Sequence, residues 1–281
     1  MTTDATGMTQ AVASAATAVE STSGLRWSDI VALVGAAAWL PQLWRFFQRP
    51  KVTPIAGGQI ELGFNNLGPL FNPKIAFRAE RRAALVTGIE FRVLHERGQS
   101  TDFKCNQLVE YGAWSESTSG EKAVHQRLQD VVAVVIGPMS IVERKTNSRE
   151  VNCLRQLEVL SIGLATAIDR LRSIEDPAWI DNLLRSREYV DTVKFLEDSF
   201  TWQAGKYKVE CSVSVAGQAQ PSKCKFQFVL GDSSLVLLKS NVRIMKDNFR
   251  RGLEPADATN PQKPPEFNWI YANVLVDDSN N

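Results

Sequence analysis

Lys206-Tyr207-Lys208-Val209-Glu210-Cys211-Ser212-Val213-Ser214-Val215 is the stretch whose pattern decides the fold. Its odd positions are apolar or aromatic, and its even positions are charged or hydroxylated. A period of two marks a strand with one buried face, because successive side chains leave a strand on opposite sides. The next apolar run repeats the pattern, with Cys224, Phe226, Phe228 and Leu230 set against Lys223, Lys225 and Gln227. The polar link Ala216–Ser222 joins the two runs as a hairpin. Cys211 and Cys224 then point into the core, where a free thiol behaves as a small apolar side chain.

The same alternation recurs towards the N-terminus. Ile60, Leu62 and Phe64 alternate with polar or small neighbours, as do Ile75, Phe77 and Ala79, and then Ile89, Phe91 and Val93. Glu96-Arg97-Gly98-Gln99 turns the last of these into a strand over 101–106. Half-solvated antiparallel strands follow from this patterning. Between the two strand groups the period becomes helical: Leu157, Leu160, Leu164, Ile168 and Leu171 recur at steps of three and four. Asp176-Pro177 breaks that helix, and a second runs from Trp179 to Leu196. The expected organisation is a β domain over 59–251 with a helical hairpin inserted at about 152–200. A Pro-rich linker follows over 252–266, then a covered strand and polar tail over 267–281. That last strand has two possible seats, its own domain or a neighbouring molecule's sheet edge.

Ahead of the β domain lies an apolar segment. Residues 30–44 carry no charge, and 27–47 is interrupted only by Asp29 and Arg45. Twenty-one helical residues reach about 31 Å, near the hydrocarbon thickness of a bilayer. Trp27, Trp39 and Trp44 lie in the segment, the first and last near its ends, where indole favours the headgroup layer. Arg45, Arg49 and Lys51 follow at once, whereas the N-terminal flank has only Arg26. The excess of basic charge predicts a single transmembrane helix with the C-terminal domain in the cytoplasm, at the inner (plasma) membrane of a bacterial cell. Residues 1–26 are Ala/Ser/Thr-rich and read as a disordered tail, and 48–58, with Pro50, Pro54 and Gly57-Gly58, as a linker. The alternatives for 30–44 are a buried core helix of a soluble protein and a helix lying in the membrane plane. In the cytoplasmic topology Cys211 and Cys224 stay reduced, and a disulfide between them implies the opposite side.

The chain has 281 residues, with 32 basic against 31 acidic side chains and a formal charge of +1. Such a balance argues against nucleic-acid binding driven by bulk charge. The two histidines, His95 and His125, stand in no HExxH context, and the four cysteines form no Cys-x-x-Cys pair. No metal site and no cofactor are therefore expected. Gly231-Asp232-Ser233-Ser234 resembles a hydrolase nucleophile motif, but no histidine follows it to act as base, and turn or helix-cap chemistry accounts for it. One basic cluster, Lys74, Arg78, Arg81 and Arg82, is a candidate contact for an anion or lipid if it faces a membrane.

Trp202-Gln203-Ala204-Gly205-Lys206-Tyr207 resembles the tyrosine corner of immunoglobulin-like sandwiches, in which a phenol tethers the incoming chain. Val209 stands where antibody domains carry a cysteine, so the resemblance concerns architecture alone. With Leu40-Pro41, Glu61-Leu62-Gly63-Phe64-Asn65 and Gly68-Pro69, the sequence is similar to uncharacterised bacterial single-pass membrane proteins that carry such a domain. That likeness implies an immunoglobulin-like antiparallel β-sandwich of about seven strands. The function expected is non-enzymatic: a membrane-tethered cytoplasmic binding or assembly module with a protein partner. The alternative is a membrane-bound enzyme using carboxylates of the helical insert or of residues 107–150.

Overall fold

The computed structural model describes residues 50–114, 123–131, 134–253 and 266–276. The expected transmembrane segment 27–47 and the tail before it lie outside the described residues. The elements are β1 (Lys51–Asn65), β2 (Gly68–Glu80), β3 (Ala84–His95), β4 (Ser100–Trp114), β5 (Ala123–Asp130), β6 (Val134–Ile136), β7 (Ile141–Glu150), α1 (Val151–Ser173), α2 (Trp179–Leu184), α3 (Arg187–Asp198), β8 (Gly205–Val215), β9 (Ser222–Leu230), α4 (Asp232–Arg251), β10 (Ile270–Asn273) and β11 (Leu275–Val276).

The domain is mainly antiparallel β with helices, as the alternation predicts. Hydrogen bonding nevertheless traces one sheet, in the order β10-β1-β2-β7-β4-β3-β8-β9-β11, instead of the two packed sheets of a sandwich. Its two ends nearly meet, because the consecutive strands β10 and β11 pair with β1 and β9 respectively. The C-terminal segment thus docks on its own domain and fills the seam that would otherwise leave two open edges. Only its Ile270 and Ala272 are buried, while Trp269 and Tyr271 face outward, so the expected covering of both faces is not met.

The expected linker 48–58 needs correction, since Lys51 to Gly58 belong to β1. Residues 51–56 pair with β2 alone, and a proline is tolerated where one strand edge carries no ladder partner. Gly57 and Gly58 sit where the β1–β2 register slips between Ala56 and Ile60, and Gly58 takes φ +68°, a bulge conformation. A second interruption is patched by side chains. The β2–β7 ladder has no pairs between Leu70 and Lys74, where Pro73 lacks an N–H. There Asn72 Oδ1 accepts from the Ser148 N–H at 3.0 Å, and the Thr146 hydroxyl donates to the Pro73 carbonyl at 3.0 Å.

The inside of the sheet is filled by aromatic rings. Phe71 lies 5.4 Å from Phe91 and 5.4 Å from Phe103, and Tyr207 stacks on Phe228 at 4.8 Å. Full burial of such rings supplies roughly 1.5–3 kcal/mol each.

The helical insert runs from 151 to 198, close to the expected span. Glu150 caps α1 by accepting from the backbone N–H groups of Asn152 and Cys153. The single second helix expected over 179–196 is two, because Ser186 leaves helical geometry and caps α3 through the Tyr189 N–H at 3.2 Å. Helix α4 falls inside the segment read as sandwich. Gly231-Asp232 opens it, so this motif is a helix start. Phe64, Cys153, Val193, Leu196 and Met245 form a second apolar cluster that fixes α1, α3 and α4 over the β1–β2 turn.

Candidate functional site

The two ends of the sheet differ in what they present. At one end β1 begins. Lys51 is opposite Glu80, Thr53 is opposite Arg78, and Arg78 is opposite Ile141. The Met139 N–H donates to the Ala79 carbonyl at 3.1 Å, the Ala216 N–H donates to the Leu85 carbonyl at 2.9 Å, and Gln218 Nε2 donates to the Pro50 carbonyl. These bonds gather the turns 81–83, 137–140 and 216–221 around the start of β1. Strand β7 then runs ten residues, about 33 Å, to Glu150, where α1 starts. The helices cap that other end.

Of the residues singled out in the sequence, Lys51, Arg78, Arg81 and Arg82 come together at the β1 end. Arg78 and Arg81 are exposed, and Lys51 forms an ion pair with Glu80 at 3.1 Å. Lys74 points outward on β2, four residues before Arg78, about 13 Å away along the strand, so it stands apart from the cluster. Trp27, Trp39, Trp44, Arg45 and Arg49 lie outside the described residues.

Sequence reasoning missed the apolar neighbours of this cluster. Met139 is 80% exposed, Ile141 66%, Val135 65% and Leu85 37%, although each lies beside paired backbone. Leu85 and Val135 are directly opposite each other on β3 and β6. The only available signal is the uncharged turn Gly137-Pro138-Met139-Ser140, which places a methionine at a tip. The three turns at this end, 81–83, 137–140 and 216–221, contain two arginines and no carboxylate.

At the helical end, α1 buries Cys153, Leu164 and Ala167 but leaves Val159 70% and Ile162 65% exposed. Among the described residues α1 is the one helix long and apolar enough to cross a membrane by length and composition. Its inner face packs on α2 and α3, with Leu183 against Leu164 and Ala167, and the Arg172 guanidinium sits 4.8 Å from the Trp179 ring centre.

Several of the carboxylates considered for catalysis are engaged locally. Glu150 caps α1, Glu110 pairs with Arg144 at 2.7 Å, Glu188 with Arg170 at 3.7 Å, and Asp191 with Arg187 at 3.3 Å. A cleft of about 330 Å³ beside α1 is lined by Asp102, Glu150, Cys153, Gln156 and Ser199. Burial pushes the Cys153 thiol up to about 11, away from the range of a reactive thiolate. A groove of about 440 Å³ on the outer face of β3, β4, β8 and β9 holds alternating charges, with Arg92 on Asp102 at 3.0 Å and Lys223 on Glu210 at 2.6 Å. Among the described residues no group of three or more His, Cys, Asp and Glu side chains is placed to hold a metal ion.

His95 is buried, with Nδ1 accepting from the Arg97 N–H at 3.3 Å and Nε2 facing the Ala204 carbonyl at 3.1 Å. With Nδ1 accepting, the proton belongs on Nε2 and the ring is held as a brace for the corner before β8. No protein-family model matches this chain, and no curated protein matches it either.

Proposed function

We propose that this chain is a membrane-tethered binding or assembly module, with residues 27–47 as its single transmembrane helix and the described domain on the cytoplasmic side of the inner membrane. The observation that carries the reading is the opposition of two ends: the domain's first strand starts beside one, and the helices with exposed Val159 and Ile162 form the other. Only Gln48, Arg49 and Pro50 separate Phe47 from Lys51, a connection that reaches at most about 14 Å. A tether that short limits how far Lys51 can lie from the end of the membrane helix, and the exposed Val159 and Ile162 of α1 are the face offered to a protein partner. Confinement to a thin layer raises the effective concentration of a weak binder, which is the physical use of such an anchor.

Membrane flotation of the full chain, beside a form lacking residues 27–47, tests the tether. The full chain is expected to float with membranes and the shortened form to stay soluble; a full chain that remains in the detergent-free supernatant overturns the reading. For the partner surface, affinity capture of the detergent-solubilised chain from its host is expected to recover a stoichiometric protein that Val159→Asp with Ile162→Asp releases. Recovery unchanged by that pair of substitutions rejects the α1 face.

A further inference from the structure

We propose that the β1 end of the sheet is a contact site for an anionic phospholipid surface, in which Leu85, Val135, Met139 and Ile141 enter the headgroup layer and Arg78 and Arg81 meet lipid phosphates; it rests on the membrane-tethered reading above.

Four large apolar side chains are exposed within one rim, and Met139, Ile141 and Val135 are more exposed than Ile55, Leu94, Leu128, Val229, Tyr271 and Leu275 elsewhere in the sheet. Hydrogen bonds hold them on a fixed frame, because Ala79 bonds to both Met139 and Ser140, and β6 pairs with β3 beneath Val135. The charge of the rim fits phosphate. Its turns carry arginine and no carboxylate, and the neighbouring Glu80 is already occupied by Lys51. Arginine matches a phosphate with planar paired donors, and an apolar side chain beside it gains by leaving water at the headgroup and acyl boundary. An anionic leaflet attracts a basic segment only within about a Debye length, roughly 8 Å, and a connection as short as that between Phe47 and Lys51 allows this rim to reach that range. Arg81 holds its guanidinium at a turn of φ +70°, a conformation that favours glycine. Nothing in the local backbone asks for an arginine there, and the lipid contact supplies a reason.

The test uses the full chain carrying Met139→Cys, labelled with an environment-sensitive fluorophore. The protein is reconstituted into phosphatidylcholine vesicles with or without phosphatidylglycerol, with the unsubstituted chain as the labelling blank. The expected result is a blue-shifted emission, quenched by a lipid-borne spin label, that is severalfold stronger in the anionic vesicles. A label at Ser161→Cys, on the exposed side of α1, stays water-like in both. Arg81→Gly removes a charge at a backbone position glycine accepts, so it keeps the fold, and with Arg78→Gln it is expected to cancel the dependence on phosphatidylglycerol. Protein that floats with the vesicles while the Met139→Cys label stays water-like overturns the lipid contact and leaves the tether standing. A signal indifferent to phosphatidylglycerol overturns the role of the arginines, and failure to float overturns contact and tether together.

Discussion

The Tyr207 hydroxyl donates to the Gln203 carbonyl at 2.8 Å and accepts from the Gln203 N–H at 2.8 Å, closing the four-residue corner that admits the chain to β8. Both partners belong to one backbone unit, so a single phenol fixes its position and its orientation. The ring is 4% exposed and stacks on Phe228, which keeps water from replacing either bond.

Tyr207→Phe keeps the stacked ring and removes both bonds. A buried donor and acceptor left without partners cost about 1–3 kcal/mol. Equilibrium urea denaturation should show a lower midpoint with an unchanged slope. For a domain of this size the melting temperature should fall by about 2–4 °C per kcal/mol. A midpoint within error of wild type would show that solvent satisfies Gln203 and that the corner contributes no stability.

The seam closed by the C-terminal strand depends on one missing methyl group. A Cβ on Gly63 would lie 2.3 Å from the Trp269 ring, while Asn241 holds the strand's entrance by accepting from the Asn268 N–H and donating to its carbonyl, each at 2.8 Å. Gly63→Ala should displace Trp269 and expose residues 267–276 to protease at a cost of about 1–3 kcal/mol. Trp269→Ala removes the obstacle, so the double substitution should be less destabilising than the sum of the two single ones. Additive losses would mean that ring and glycine do not share this contact.

How far the sequence reveals this arrangement depends on how local each signal is. The β8–β9 hairpin is legible because its inward and outward residues alternate throughout β8 and, apart from Val229, along β9, and α1 because its leucines keep helical spacing. Helix α4 is hidden, since the stripe of Leu238, Asn241 and Met245 places a polar residue at its centre. That Asn241 is fully buried because it binds Asn268, a partner 27 residues away that no local pattern announces. The first half of β1 reads as linker for a similar reason: Pro54 and Gly57-Gly58 are ordinary loop residues unless one knows that this edge carries no ladder partner. Closure of the sheet is likewise a long-range event, decided by where residues 270–276 pair. At the candidate site the basic residues were legible as a cluster. Leu85, Val135, Met139 and Ile141 were not, because alternation reports which residues are apolar and not which of them the fold leaves uncovered.

Cys211 and Cys224 are directly opposite each other across β8 and β9. Its opposition to Cys224, together with burial, pushes the pKa of the Cys211 thiol well above its ordinary value, and the same pairing draws Cys224 below it. Cys224 is also the least buried of the four free cysteines. Alkylation of the native protein near pH 8, read by peptide mass spectrometry, should therefore mark Cys224 first and leave Cys105, Cys153 and Cys211 unmodified until the protein unfolds. Equal labelling of Cys211 and Cys224 would show that burial and pairing do not separate the two thiols. Protein isolated from its host with thiols blocked at lysis should show both cysteines free in the cytoplasmic topology, and recovery as a disulfide would place the domain on the oxidising side.

The last prediction concerns alkaline pH. Burial pushes the Cys105 thiol from its ordinary value of 9.0 up to about 12 and Cys153 up to about 11. In the unfolded chain both return to the ordinary value, so between pH 9 and 12 the unfolded state has lost protons that the folded state keeps. A group whose folded pKa is raised contributes its full stability below the unfolded pKa and loses it as pH climbs through the folded one. Stability should therefore be level from pH 7 to about 8.5 and then fall, at up to about 1.4 kcal/mol per pH unit for each thiol. Other groups titrate in this range, so the contribution of Cys105 is isolated by comparison with Cys105→Ala. That variant starts lower, because a buried side chain is lost, yet its melting temperature should decline less steeply between pH 9 and 10.5. Parallel declines in the two proteins would mean that the Cys105 thiol titrates alike in the folded and unfolded states, and that its burial in the core does not govern the alkaline limit.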